Sequence, residues 1–275
     1  MRALELPVET GDGHRAALLA RLPATPRASL LWLPGMGLAA RHYLPFAEAA
    51  ASRGVAVFVH EWRGNGASSL RASRTVDWGY RELLADIEAS EGAVAAALPG
   101  LDRLLGGHSL GGQLACCRLA LRPDAARALW LVGSGSPWWR AFPAPTRWWL
   151  PAAYRFLDWL ARRNGSLPGK RIGFGGNEAR GVIADWSRSA LTGRYAARGL
   201  DHDLERGMAG FRGQARGVVL AEDWLAPPSS LAFLLGKLRG AEAATHVLHA
   251  DALGTRADHY AWMKQPDAVV ERLLG

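Results

Sequence analysis

The sequence predicts an α/β protein, with a mostly parallel central sheet flanked by helices and a helical insertion in its second half. Three observations predict it. Short apolar runs that do not alternate each lead into a helical stretch, as strands covered on both sheet faces require. A hairpin signal precedes the first such run, and the strand–helix rhythm stops over residues 136–212 before resuming.

The elements follow in order. Two apolar runs, Ala3–Val8 and Ala16–Leu22, flank Thr10-Gly11-Asp12-Gly13, whose glycines suit the positive φ of a tight turn. Ser29-Leu30-Leu31-Trp32-Leu33 reads as a buried strand ended by Pro34-Gly35, an Ala-rich helix is expected over about 40–53, and Val55–Val59 is the next strand. A helix at about 77–97 leads to a strand around Leu104-Leu105-Gly106-Gly107, then a helix at about 110–122 and a strand at Ala128–Val132. Residues 136–212 are rich in tryptophan and turns and poor in strand pattern. They are expected to form a helical cap (lid) on a core made of residues 1–135 and 213–275. The core resumes with a strand at Ala215–Ala221, a helix at about 228–239, a strand at about 244–249 and a closing helix from about 262.

Composition narrows the function classes. With 275 residues, 49% hydrophobic and 21% charged, the chain has the make-up of a packed domain and not of a disordered tail. No apolar run approaches the ~18–20 residues of a membrane span, and MRALELPVETGDGHR lacks the pattern of a secretory leader. A cytoplasmic location without integral membrane association is therefore expected. Cys116 and Cys117 are adjacent, a poor geometry for a disulfide, and read as small core fillers on one helix. The net charge of +8 comes from arginines scattered along the chain, with only Lys170, Lys237 and Lys264 as lysines. No RNA-binding or zinc-finger pattern accompanies them, so a nucleic-acid partner is not expected.

Gly107-His108-Ser109-Leu110-Gly111 carries the chemistry. It is a G-x-S-x-G pattern between the end of a buried strand and the start of a helix, the context that presents a serine hydroxyl outward on a tight turn. A serine hydroxyl is a poor nucleophile near neutral pH and needs a base. In the chain order nucleophile, acid, base that goes with this turn, the base comes late, leaving His246, His249 and His259. His259 is favoured because it follows a loop, with His249 next. The acid that orients it is expected at Asp223, where a strand runs into Glu222-Asp223 before a proline-marked helix start. Asp201, Asp203 and Asp251 are alternatives whose bland reading is surface charge. Donors to an oxyanion are expected from the backbone N–H of Leu110 and from Met36, in the loop Pro34-Gly35-Met36-Gly37.

Together these residues resemble the α/β-hydrolase superfamily: Leu33–Gly37, Glu61-Trp62-Arg63-Gly64-Asn65-Gly66-Ala67-Ser68, Gly107–Gly112, Glu222–Pro228 and His259. Glu61 stands where the family more often has Asp, in a loop that is structural there. Within the insertion, Leu167–Gly176, Gly181–Arg188 and Gly193-Arg194-Tyr195 are similar to a bacterial group of α/β-hydrolase-fold proteins described only as hydrolases. The resemblance implies the α/β-hydrolase fold and a cap above the site. On that cap Trp138, Trp139, Trp148 and Trp149 are candidates for an acyl pocket, with plain packing of cap on core as the alternative.

The expectation is a serine hydrolase acting on a small-molecule acyl compound, foremost a carboxylic ester of an apolar acid. It would use no cofactor and no metal, as a monomer or homodimer. Thioester, amide or lactone hydrolysis and acyl transfer share the same chemistry, and a non-catalytic binding protein is the remaining rival.

Overall fold

The computed structural model describes residues 1–275. The chain opens with the expected hairpin, β1 (Arg2–Glu9) and β2 (Arg15–Leu22), turned at Gly13 with φ +81°. Then follow β3 (Ala28–Leu33), α1 (Leu44–Ser52), β4 (Val55–Val59), α2 (Tyr80–Ala97), β5 (Asp102–His108), α3 (Leu110–Leu121) and β6 (Ala128–Val132). Between β6 and the next sheet strand lie α4 (Thr146–Asn164), β7 (Ser166–Pro168), α5 (Gly169–Ile172), β8 (Asn177–Ala179), α6 (Arg180–Thr192) and α7 (Leu204–Met208). The chain ends with β9 (Gln214–Leu220), α8 (Pro228–Leu235), β10 (Glu242–Leu248), α9 (Ala250–Leu253) and α10 (Asp267–Leu274).

Eight strands form one sheet in the order β1-β2-β4-β3-β5-β6-β9-β10. β1 and β2 are antiparallel, and every pair from β4 to β10 is parallel. The apolar runs do not alternate because both sheet faces are covered. In β3, Leu31 and Leu33 join one core while Leu30 and Trp32 join the other, and β6 divides Leu129 and Leu131 from Trp130 and Val132 in the same way. The larger core lies under α2, α3 and α8, and the smaller one under α1 and α10. Cys116 and Cys117 are fully buried free thiols of α3, and burial pushes the Cys116 thiol up to about 12.

Several boundaries depart from the sequence expectation where proline or glycine intervenes. The helix expected over 40–53 is a 3-10 turn at Ala40–Tyr43 followed by α1, with Pro45 in its first turn. α2 starts only at Tyr80, where Glu82 reaches back to the Gly79 N–H. α8 stops at Leu235 before Gly236. The closing helix is split at Pro266 into a 3-10 turn, Ala261–Lys264, and α10. In the insertion, β7 and β8 pair as a three-residue antiparallel ribbon that the mostly helical expectation did not include. α4 and α6 pack on each other, whereas α7 packs against α3 of the core.

Candidate active site

In-register pairing brings the carboxyl ends of β3, β5, β6 and β9 to one edge of the sheet: Leu33 lies opposite Gly107, His108 opposite Val132, and Val132 opposite Val218. The loops leaving those ends hold the residues of interest, the usual location for ligands in open parallel sheets.

Ser109 sits between β5 and α3 at φ 53°, ψ −120°, and is the only residue other than glycine with positive φ. The surroundings over-determine this strained turn. A methyl on Gly107 would overlap the Gly111 carbonyl carbon, and one on Gly111 would overlap the carbonyl oxygen of Leu33. Ser134 Oγ adds a hydrogen bond of 2.7 Å to the Ser109 carbonyl. The Ser109 hydroxyl makes no hydrogen bond within the protein and borders a cavity of about 580 Å³. Leu110 begins α3, so its N–H has no helical acceptor. The Met36 N–H, in the turn after β3, also makes no hydrogen bond, and both residues border the cavity.

Asp223 and His259 meet across 36 residues of sequence. His259 Nδ1 donates to Asp223 Oδ2 at 2.6 Å, and both residues are buried. The other oxygen, Oδ1, accepts the N–H groups of Leu225 (2.9 Å) and Ala226 (3.2 Å). The loop after β9 thus fixes the carboxylate, and the carboxylate orients the imidazole, whose ring borders the same cavity as Ser109. The other candidates lie elsewhere. Glu222 and His249 are exposed, His246 lies within β10, Asp203 caps α7, Asp251 sits in the first turn of α9, and Asp201 is exposed.

His108 is a neighbour that the sequence did not mark. Tyr43 Oη accepts the Gly35 N–H (2.8 Å) and donates to His108 Nδ1 (2.7 Å), and the His108 ring stands 4.5 Å from that of His259. Burial, reinforced by the neighbouring His259, pushes the His108 imidazole well below its usual range, so the ring is neutral. One buried chain thus links the loop bearing Met36 to the strand end before Ser109. The only sequence signal was the position of His108 inside G-x-S-x-G, because its partner Tyr43 is remote in the chain.

Of the four candidate tryptophans, the cavity wall includes only Trp149. Trp138 is instead turned onto Phe233, with ring centroids 4.3 Å apart, and Trp139 packs against the larger core with Arg140 over its ring. Trp148 is one residue, or about 100° of helix, from Trp149 and points to solvent with Arg147 over its ring. The wall comes instead from residues such as Tyr154, Leu157, Phe174, Trp186 and Trp224, four of them in the insertion. Gln113 also borders it, one turn beyond Ser109. It is buried, its carboxamide makes no side-chain hydrogen bond, and its Oε1 is unpartnered.

The insertion also meets the Met36 loop directly. Gly37, at φ +74°, lies so close to the Gly175–Gly176 turn that a methyl there would overlap the Gly176 backbone nitrogen. Glu61, in the loop after β4, supports the same region by accepting the Ala40 N–H at 3.1 Å. Burial raises its pKa.

This sheet order, with a serine on a strained strand–helix turn and an Asp–His pair on later loops, defines the α/β-hydrolase class. The profile of the family described as serine aminopeptidase, S33, matches residues 24–179, more than half of the chain, and the protein belongs to that family. The matched segment includes Ser109 and ends before Asp223 and His259. No curated protein sequence matches the chain. Among solved structures, it is similar to a hydrolase from Pseudomonas aeruginosa PA01 (18% identity, TM-score 0.66, covering 98% of this chain and 97% of that one). It is also similar to an enol-lactonase from Burkholderia xenovorans LB400 (16%, 0.63, 98% of each chain). A third is the esterase domain of a Rhodothermus marinus protein (18%, 0.63, 100% and 97%). At these identities the likeness is one of fold. No helix is long and apolar enough to cross a membrane.

Proposed function

We propose that this protein is a serine hydrolase that cleaves a carboxylic ester of an apolar acid through an acyl-enzyme, with residues 136–212 acting as a cap over the site. The buried 2.6 Å Asp223–His259 hydrogen bond carries the reading, because it opens on the same cavity as the strained Ser109. Ser109 Oγ attacks the ester carbonyl carbon while His259 Nε2 takes its proton, and Asp223 holds the imidazole in the tautomer with Nδ1 protonated. The tetrahedral oxyanion accepts hydrogen bonds from the Met36 and Leu110 N–H groups. His259 then returns the proton to the departing alkoxide, leaving an acyl group on Ser109. A water molecule, deprotonated by His259, releases the acid and restores the serine.

The wall favours an ester over a peptide substrate. An aminopeptidase must hold a free α-ammonium group, and no carboxylate lines this cavity to receive one. The lining is largely aliphatic and aromatic, suited to an apolar acyl chain. Labelling with a fluorophosphonate probe and peptide mapping tests the assignment. Modification confined to Ser109 and lost in Ser109→Ala supports it, and a label elsewhere refutes it. A series of p-nitrophenyl esters then grades acyl length, and an added alcohol acceptor separates hydrolysis from acyl transfer by the product formed.

A further inference from the structure

α4 is amphipathic twice over. Leu150, Tyr154 and Ala161 form its buried side. On the opposite side Trp148, Trp149, Ala152, Phe156, Trp159 and Arg163 fall within an arc of about 100°, and all six are exposed. Across the cavity mouth stand Ile172, Trp224 and Tyr260. The seven large apolar side chains of this group are each 43–65% exposed, and only Met1 and Val247 elsewhere in the chain are comparably bare. Two ring pairs lie within it: Trp149 is 6.1 Å from Trp224, and Phe156 is stacked on Trp159 at 5.8 Å. Five of its members also border the cavity that holds Ser109 and His259.

Charge indicates what covers it. Between Thr146 and Gly176 there are six basic residues and one acidic residue, Asp158, which is paired with Arg162. Arg155, Arg163, Lys170 and Arg171 are exposed and form no ion pair. Near Trp224 in the sequence Glu222 is exposed without an ion pair, and next to Tyr260 Asp258 is paired with Arg256. Aromatic side chains bordered by arginine and lysine fit the boundary between headgroups and acyl chains of an anionic bilayer. The four unpaired cations beside the patch complement the negative potential of such a surface.

We propose that the α4 face and the cavity mouth dock on an anionic phospholipid surface, with Trp148, Trp149, Phe156, Trp159 and Trp224 entering the headgroup–acyl boundary. Docking points the mouth at the membrane. Docking uses the surface and not the reaction, so Ser109→Ala protein is expected to bind vesicles as the unaltered protein does.

The test is flotation of the full chain with vesicles of mixed phosphatidylcholine and phosphatidylglycerol, or of phosphatidylcholine alone, at low and high salt. The protein is expected to float with the anionic vesicles at low salt and to be released by salt. The pair Arg163→Gln and Arg171→Gln should weaken partitioning about twenty-five-fold at low salt, at roughly five-fold per charge. The pair Trp148→Ser and Trp159→Ser, neither residue lining the cavity, should weaken it about ten-fold or more. Both variants should keep their melting temperature and their turnover of a soluble ester. A folded protein that floats with no vesicle overturns the proposal, as does binding that both pairs leave unchanged. A dimer in sedimentation velocity that becomes a monomer in the tryptophan pair also overturns it, because a second copy would then cover the patch.

Discussion

Replacing Asp223 with Asn tests the proposed machinery at one oxygen. In the structure Oδ1 accepts two backbone N–H groups, from Leu225 and Ala226, and Oδ2 accepts His259 Nδ1–H. Asn can place its carbonyl where Oδ1 stands and keep both backbone bonds, so the loop after β9 stays in place. Its NH2 group then faces Nδ1 and donates to it, which forces the imidazole into the tautomer with the proton on Nε2. That nitrogen can no longer take a proton from Ser109. A wrong tautomer in intact geometry lowers kcat by about 10⁴-fold, roughly 5 kcal/mol of barrier. The stability change should be smaller, about 1.5–3 kcal/mol for one hydrogen bond to a charged group, offset in part by the new amide bond. The assay is kcat/KM on a p-nitrophenyl ester alongside urea unfolding, with exposed Glu222→Gln as the control expected to stay near unaltered activity. Asp223→Asn activity within ten-fold of the original refutes the role given to the Asp–His pair. A large loss in Glu222→Gln would move the acid to the adjacent residue.

Three further outcomes follow from buried groups and close contacts. Arg63 is buried between Asp86 (2.6 Å) and Asp12 (2.7 Å), so Asp86→Ala, which leaves it half paired, should cost about 3–5 kcal/mol in urea unfolding. Acid should weaken the fold from about pH 6.5 downward. Burial lowers His60 to about 4, and a histidine whose folded pKa lies below its unfolded value stabilises the fold above the unfolded pKa and loses that contribution as pH falls. His108 is shifted the same way by burial and by His259, so stability should fall by up to about 1.4 kcal/mol per pH unit for each of the two; a flat profile between pH 6.5 and 5 would contradict this. Gly37→Ala combines positive φ with backbone overlap and should lower the melting temperature, at a cost of about 1–3 kcal/mol. It should also cut ester turnover, whereas Gly11→Ala, with open space around it, should do neither.

Much of this architecture was legible in the sequence because parallel strands buried on both faces leave a plain mark. Leu30–Leu33, Val55–Val59 and Ala128–Val132 are apolar at every position for the reason the structure shows, one residue feeding each core in turn. The Ser109 turn was readable because glycine is needed where backbone meets backbone, and Gly107 and Gly111 occupy those places. The tryptophans were not readable in the same way. Residue type reports how much apolar surface a side chain carries, while helix phase decides whether it faces a cavity or water, so adjacent Trp148 and Trp149 part company. β7 and β8 are too short to show a period. The Tyr43–His108 link depends on tertiary approach that no local pattern announces.

The contact between Gly37 and Gly176 couples the turn after β3 to the insertion, backbone against backbone. One side carries Met36, the proposed oxyanion donor, and the other belongs to the insertion. Because backbone touches backbone there, any side chain gained on one side must be matched by a retreat on the other. In an engineered variant α4 and its aromatic face can therefore be exchanged alone, while Gly173–Gly176 has to be moved together with Pro34–Gly37 as a single unit. A chimera that transplants the insertion without that turn should fail at the seam.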